Sequence, residues 1–178
     1  MKQQNQEQAF GPRGGSGGAR AVPHTALTVL HIDDDANDTE LLQAAVRKAN
    51  LGFAVHNVGD GDQAMAYLNG RGVFSDRKRY SLPSLILLDL KMPRATGLEV
   101  LKWIRSHPQV GHIPVVVLSG SELQDDIQQA YAGGANSYLV KPLCFNSLVD
   151  LVKNIDSVWL ANRPQSQAGN VPVVRAEA

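Results

Sequence analysis

Three aspartates stand in a row, Asp33, Asp34 and Asp35, directly after the apolar residues Val29, Leu30 and Ile32. Neighbouring carboxylates repel by about 1 kcal/mol at ~4 Å even in a water-like dielectric, so such a run calls for a cation or a chemical task. Asp89, Ser119 and Lys141 occupy comparable places, each at the end of a short apolar stretch: "LILL", "VVVL" and "YLV". Several carboxylates with no cysteine or matching histidine suit a hard cation on oxygen ligands, and an incompletely caged one is usually Mg²⁺. In that setting Asp89 can attack a phosphoryl group. The Lys141 ammonium then balances one phosphoryl oxygen, and the Ser119 hydroxyl donates a hydrogen bond to another.

These residues converge only if the apolar stretches lie side by side. "TVLHI" (28–32), "LILL" (85–88), "VVVL" (115–118) and "YLV" (138–140) are almost wholly apolar, and "FAVHNV" (53–58) is a weaker fifth. Continuous apolar runs of this length suit strands buried on both faces of a parallel sheet. The intervening segments have helical spacing: Leu41, Leu42, Ala45 and Val46; Ala64, Tyr67 and Leu68; Leu98, Leu101 and Ile104; Leu123, Ile127, Ala130 and Tyr131; Leu148, Leu151, Val152, Ile155 and Trp159. Five strands alternating with five helices predict a doubly wound α/β sandwich, a five-stranded parallel sheet of flavodoxin-like order 2-1-3-4-5. Ligands bind such sheets outside the carboxyl ends of the strands, which is where the acids, the hydroxyl and the ammonium fall. "GDGD", "MPRATG" and "HPQVGHIP" punctuate the pattern, and "NGRGVFSDRKRYSLPS" reads as a longer polar loop.

The chain has 178 residues, enough for one domain with a real core and too few for two ordinary ones. Its 17 basic and 17 acidic residues cancel, which gives no electrostatic support for direct nucleic-acid or membrane-surface binding. The single cysteine, Cys144, excludes an internal disulfide framework and a cysteine-based zinc site. "MKQQNQEQAF" lacks the apolar core of a secretion signal, and no run approaches the roughly 18 apolar residues of a membrane span, so a cytoplasmic protein is expected. Residues 1–26, with "GPRGGSGGAR", and residues 161–178 are expected to be flexible tails flanking a domain over 27–160.

An acidic pair after the first strand, "DLKMP" after the third, a serine plus small residue after the fourth and "KP" after the fifth resemble the receiver domain of two-component response regulators. The resemblance covers about Thr28 to Leu160. It implies that Asp89 is the phosphoacceptor and that Asp34 binds Mg²⁺ directly. Asp33 then binds it largely through water, and the Lys91 backbone carbonyl is a third protein ligand. It further implies Ser119 as a switch hydroxyl, Gly120 as a small residue admitting the phosphoryl group, Tyr138 as the aromatic switch partner and Lys141 as the phosphate-sensing lysine. A cis peptide bond before Pro142 belongs to the same set. "ANSYLVKP" and "VWL", with the long loop before the third strand, look like the stand-alone regulators paired with bacterial phytochrome kinases. The implied partner is a sensor histidine kinase. The implied output is a homodimer through the fourth helix, fifth strand and fifth helix, with Trp159 at the rim, or onward phosphotransfer. Such a chain is a signalling module and not a turnover enzyme.

Simpler roles account for some of these residues. Asp35 or Asn37 suits a helix N-cap, with Asp38 or Glu40 three residues on as the reciprocal partner. Ser119 or Ser121 suits the cap of the fourth helix, and Trp159 suits closure of the core. An aspartate-nucleophile phosphatase places "DxD" after its first strand, whereas the candidate nucleophile here lies after the third. A flavodoxin needs a Ser, Thr and Gly-rich phosphate loop, and "DDDAND" repels phosphate unless a metal intervenes.

Overall fold

The computed structural model describes residues 27–92 and 96–161. Strands β1 (Thr28–Ile32), β2 (Ala54–Val58), β3 (Leu85–Leu88), β4 (Val115–Ser119) and β5 (Ser137–Val140) alternate with helices α1 (Ala36–Lys48), α2 (Gly61–Asn69), α3 (Gly97–Ser106), α4 (Gln124–Ala132) and α5 (Phe145–Ile155). The strands form one parallel sheet in the order β2-β1-β3-β4-β5, as the alternation predicts. The expected tails fall on residues outside those described, apart from the turn at Ala161. Among the described residues, no helix is long and apolar enough to cross a membrane.

Alternation along the strands divides the core between the two faces. Leu30, Ile32, Ile86 and Leu88 pack with Tyr67 and Leu68 of α2 and Val100, Leu101 and Ile104 of α3. Val29, Leu85, Leu87, Val116 and Leu118 point the other way, against Leu42 and Val46 of α1 and Val152 and Ile155 of α5. Every residue of β1, β3 and β4 is buried, which is why those runs carry no polar alternation. β2 is an edge strand with only Val58 fully buried, and its sequence is correspondingly more mixed.

Two expectations are corrected. Trp159 is only 7% exposed and belongs to the α1–α5 core, because the chain continues past α5 in one wide π-helical turn (Asp156–Leu160) that folds the indole inward. It closes the core and does not rim an interface. The polar segment before β3 is not a plain loop: it contains a 3₁₀ turn (Gly72–Phe74) and is tied down by Arg77, whose guanidinium donates to the carbonyls of Tyr67, Leu68 and Tyr80. Those bonds satisfy carbonyls at the end of α2 that a helix terminus otherwise leaves open. Only Ala130 of α4 is fully buried, whereas Leu123 and Tyr131 are exposed, so α4 lies more shallowly on the sheet than its apolar spacing suggests.

Candidate functional site

Backbone pairing continues one residue beyond the strands and fixes where the chemistry-bearing side chains emerge. The Asp33 amide donates to the Val58 carbonyl at 3.0 Å, Asp89 to Ile32 at 2.9 Å and Lys141 to Ser119 at 2.9 Å. Asp33, Asp89, Ser119 and Lys141 therefore leave neighbouring strands at one edge. Each link is an ordinary ladder hydrogen bond, so the site inherits the rigidity of the sheet.

The Lys141 ammonium is the hub. It donates to Asp33 Oδ2 at 2.8 Å, to Asp38 Oδ2 at 2.7 Å and to Asp89 Oδ2 at 2.9 Å. Burial alone would depress its pKa, but the three carboxylates more than reverse that, holding the group protonated well above the usual lysine range. The other Asp89 oxygen, Oδ1, accepts from the Ser119 hydroxyl at 2.9 Å and from the Lys91 amide at 3.1 Å. Asp89 is thus buried yet fully engaged, one oxygen on the ammonium and the other on neutral donors.

Asp33 is 1% exposed. Burial raises its pKa, and hydrogen bonds from His31, Lys141 and the Asp35 amide outweigh that, leaving it at about 2. His31 Nε2 lies 3.3 Å from Asp33 Oδ2, while His31 Nδ1 lies 3.2 Å from the Thr39 hydroxyl, so the ring bridges β1 and α1 beneath the acids. Asn57 donates to the carbonyls of both His31 and Asp33 and tethers the start of the acidic run to β2. Asp34 is exposed at the rim. Asp35 is the N-cap of α1, accepting from the Asn37 amide at 2.8 Å, in keeping with the simpler role read for it.

Ser119 does not cap α4: its hydroxyl goes to Asp89, and the N-cap position of α4 is Leu123, which offers no side-chain cap. Tyr138 is buried and turned inward, its hydroxyl donating to the Ser121 carbonyl at 2.8 Å, and burial pushes its pKa up. The Ser121 hydroxyl in turn bonds Asp126 of α4, and Lys91, itself exposed, approaches the same carboxylate at 4.0 Å. The segment after β4 is thereby tied both to β5 and to the first turn of α4. Gly120 is exposed, and a Cβ built on it meets nothing within 4 Å, so the entrance above Ser119 is open.

The expected cis bond before Pro142 is corrected, since no peptide bond among the described residues is cis. The long lysine stem reaches all three carboxylates from a trans bond, which X-Pro linkages favour by about 0.5–1 kcal/mol. Two contributors escape sequence reasoning. Asp38 reads as a reciprocal cap but binds Lys141 instead. A usable signal exists: Asp38, Leu42 and Ala45 share one helical stripe, and an acid at the head of a core-facing stripe needs a cation. Gly97 is the other. A Cβ there would lie 2.1 Å from the Asp89 carbonyl oxygen, so its hydrogen atom lets α3 start directly against the end of β3.

The donor set suits a hard cation. Asp33, Asp34 and Asp89 offer only oxygen, and three carboxylates, those of Asp33, Asp38 and Asp89, face one ammonium. Among the described residues there is no ready-made cage of three ligating side chains, and the Lys141 ammonium lies among three of the acids. An ion completing its shell with water fits such a site, and Mg²⁺ dehydrates reluctantly.

A family model described as response regulator receiver domain matches residues 29–153. The chain is similar to response regulator Rcp1 of Synechocystis sp., 36% identical over 132 residues covering 74% of this chain and 88% of Rcp1. A structure of Rcp1 in an Mn²⁺-bound form covers 79% of this chain and 99% of that one at 33% identity, with a TM-score of 0.68. The phosphorylated cyanobacterial phytochrome response regulator RcpA is 37% identical, with a TM-score of 0.71 over 78% of this chain and 97% of RcpA. Response regulator RPA3017, in red light signaling of R. palustris, is 34% identical with a TM-score of 0.73, covering 78% and 96% of the two chains.

Proposed function

Because the chain belongs to the response regulator receiver family of two-component signalling, we propose that it takes a phosphoryl group from a sensor histidine kinase onto Asp89. The observation that carries this reading is the engagement of one buried carboxylate by a hydroxyl from β4 and an ammonium that follows β5. Both donors sit on the carboxylate that would take the phosphoryl group, within reach of the charge that would develop there.

An Asp89 carboxylate oxygen attacks phosphorus, a P–O bond forms, and the P–N bond of the phosphohistidine breaks with its electron pair returning to the imidazole nitrogen. The Lys141 ammonium and the Ser119 hydroxyl, no longer needed by a free carboxylate, turn to phosphoryl oxygens. Asp33, Asp34, Asp89 and the Lys91 carbonyl are the groups that would hold Mg²⁺. When bound, Mg²⁺ offsets phosphoryl charge and the mutual repulsion of the acids. Once Ser119 shifts its hydrogen bond, the strand end it shares with Gly120 and Ser121 is biased as well. Tyr138, bonded to Ser121, carries that bias to the face of α4, β5 and α5.

That face exposes Leu123, Tyr131, Val140 and Phe145, and it supports reading the output as homodimerisation or partner binding there, without Trp159. The similarity to Rcp1 and RcpA favours a phytochrome-type kinase as the donor, in the cytoplasm. The chain then acts as a signalling module, not a turnover enzyme, with no direct nucleic-acid contact.

Incubation with Mg²⁺ and acetyl phosphate should give a base-labile phosphoryl adduct that Asp89→Asn lacks, and transfer from the phytochrome-type kinase of the same genome should be faster than from its other kinases. Equal labelling of wild type and Asp89→Asn would remove the assignment.

A further inference from the structure

We propose that Asp38 is a positioning residue for the reaction at Asp89: its carboxylate holds the Lys141 ammonium at the mouth of the site. The inference rests on the phosphoacceptor reading above. Of the three acceptors on the ammonium, Asp89 receives the phosphoryl group and Asp33 is among the groups that would hold Mg²⁺. Asp38 has neither task. It makes the shortest of the three bonds, at 2.7 Å.

The placement follows from the helix. Asp35 caps α1 through the Asn37 amide, so the Asp38 carboxylate is released from capping and turns toward β5. The buried Leu42 and Ala45 on the same stripe press that side of α1 onto the core, which fixes where Asp38 points. Its side chain is 36% exposed and that of Lys141 is 21% exposed, so the pair sits where the site meets water.

An ammonium has three N–H bonds, and here all three are used on carboxylates. When the Asp89 oxygen becomes bonded to phosphorus, Lys141 must exchange one acceptor without swinging away on its flexible four-carbon stem. A fixed second carboxylate on α1 makes that exchange a small rotation. A hollow of about 50 Å³ beside the pair, lined by His31, Leu42, Leu118, Pro142 and Leu148 among others, leaves the stem loosely packed on that side, so its placement depends on the carboxylates.

The test uses the full chain. In metal-free protein, the Lys141 ammonium is observed by ¹H–¹⁵N spectroscopy at low temperature. Asp89 phosphorylation by acetyl phosphate is then followed against Mg²⁺ concentration for wild type, Asp38→Asn, Asp38→Glu, Lys141→Gln and the Asp38→Asn/Lys141→Gln double variant. Wild type should show a slowly exchanging ammonium signal that Asp38→Asn loses. Asp38→Asn should lower the rate at saturating Mg²⁺ on the order of tenfold, with half-saturation moving less than about twofold, since a displacement of an ångström costs about that or more. Asp38→Glu should recover part of the rate, and the double variant should be no slower than Lys141→Gln alone. A raised half-saturation with an unchanged plateau would make Asp38 a metal ligand and overturn the proposal. So would no change in either quantity, or multiplying effects in the double variant. If wild type takes no phosphoryl group at all, the phosphoacceptor reading fails, and an ammonium signal unaffected by Asp38→Asn still decides against Asp38.

Discussion

Gly97→Ala separates two physical effects of opposite sign. As a helix substitution it should stabilise α3 by up to about 1 kcal/mol, since alanine loses less backbone entropy than glycine. As a packing change it should do the reverse. The added Cβ would stand 2.1 Å from the Asp89 carbonyl oxygen and 2.7 Å from Leu90 Cα, both backbone atoms, whereas ordinary contact begins near 3.4 Å. Relief therefore needs a retreat of more than an ångström between the start of α3 and the end of β3. Two bonds resist that retreat: the Gly97 amide to the Leu90 carbonyl at 3.1 Å, and the Asp89 amide to Ile32 at 2.9 Å. Overpacking of this kind costs about 1–3 kcal/mol or more, so the net expectation is a loss of roughly 1–2 kcal/mol. With a urea slope of about 1–3 kcal/mol/M, the unfolding midpoint should fall by about 1 M. Because the displaced segment carries Asp89, the rate of phosphorylation by acetyl phosphate should drop as well, by up to about a hundredfold for a shift of an ångström. Gly120→Ala is the control, since a Cβ there meets nothing within 4 Å, and its midpoint should stay near that of wild type. If Gly97→Ala matches or exceeds wild-type stability while Gly120→Ala does not differ, the close approach of α3 to β3 is not what holds Asp89 in place.

Asp34→Ala should abolish Mg²⁺-dependent phosphorylation, whereas Asp35→Ala should leave it and cost about 0.5–2 kcal/mol of stability as a lost N-cap; paired phosphorylation and urea measurements check both. Trp159→Ala should destabilise by about 3–5 kcal/mol, as loss of a core aromatic does, with the thermal midpoint as readout and the same drop relative to wild type at every protein concentration. In metal-free protein, the Asp33 pKa of about 2 lies below its unfolded value near 3.9, so the folded state prefers the carboxylate. That contribution is present above the unfolded value and is lost as pH falls through about 4 to 2. The acid limb of the stability profile should flatten there in Asp33→Asn, and an unchanged limb would contradict the assignment.

The strand and helix pattern was legible because burial on both faces leaves a one-dimensional mark. "LILL" and "VVVL" admit no polar residue, and the polar residues that end these runs fall where a parallel sheet opens. Asp33, Asp89, Ser119 and Lys141 were identifiable for that reason alone, without any distance. What remained to the tertiary structure were choices between equally good local roles. Asp38 suits a reciprocal cap as well as a counter-ion, and only the packing of α1 against α5, with Lys141 just before α5, brings the ammonium to it. Ser119 suits a cap until the sheet sets it against Asp89. Trp159 suits a core or an interface, and one wide turn after α5 decides for the core. The trans bond before Pro142 is of the same kind, since its two isomers differ by so little free energy that the surroundings select one. Periodicity reports which side of an element is buried, but a polar side chain takes its partner from whichever neighbour the fold brings within hydrogen-bond reach, and that is a property of the packed chain.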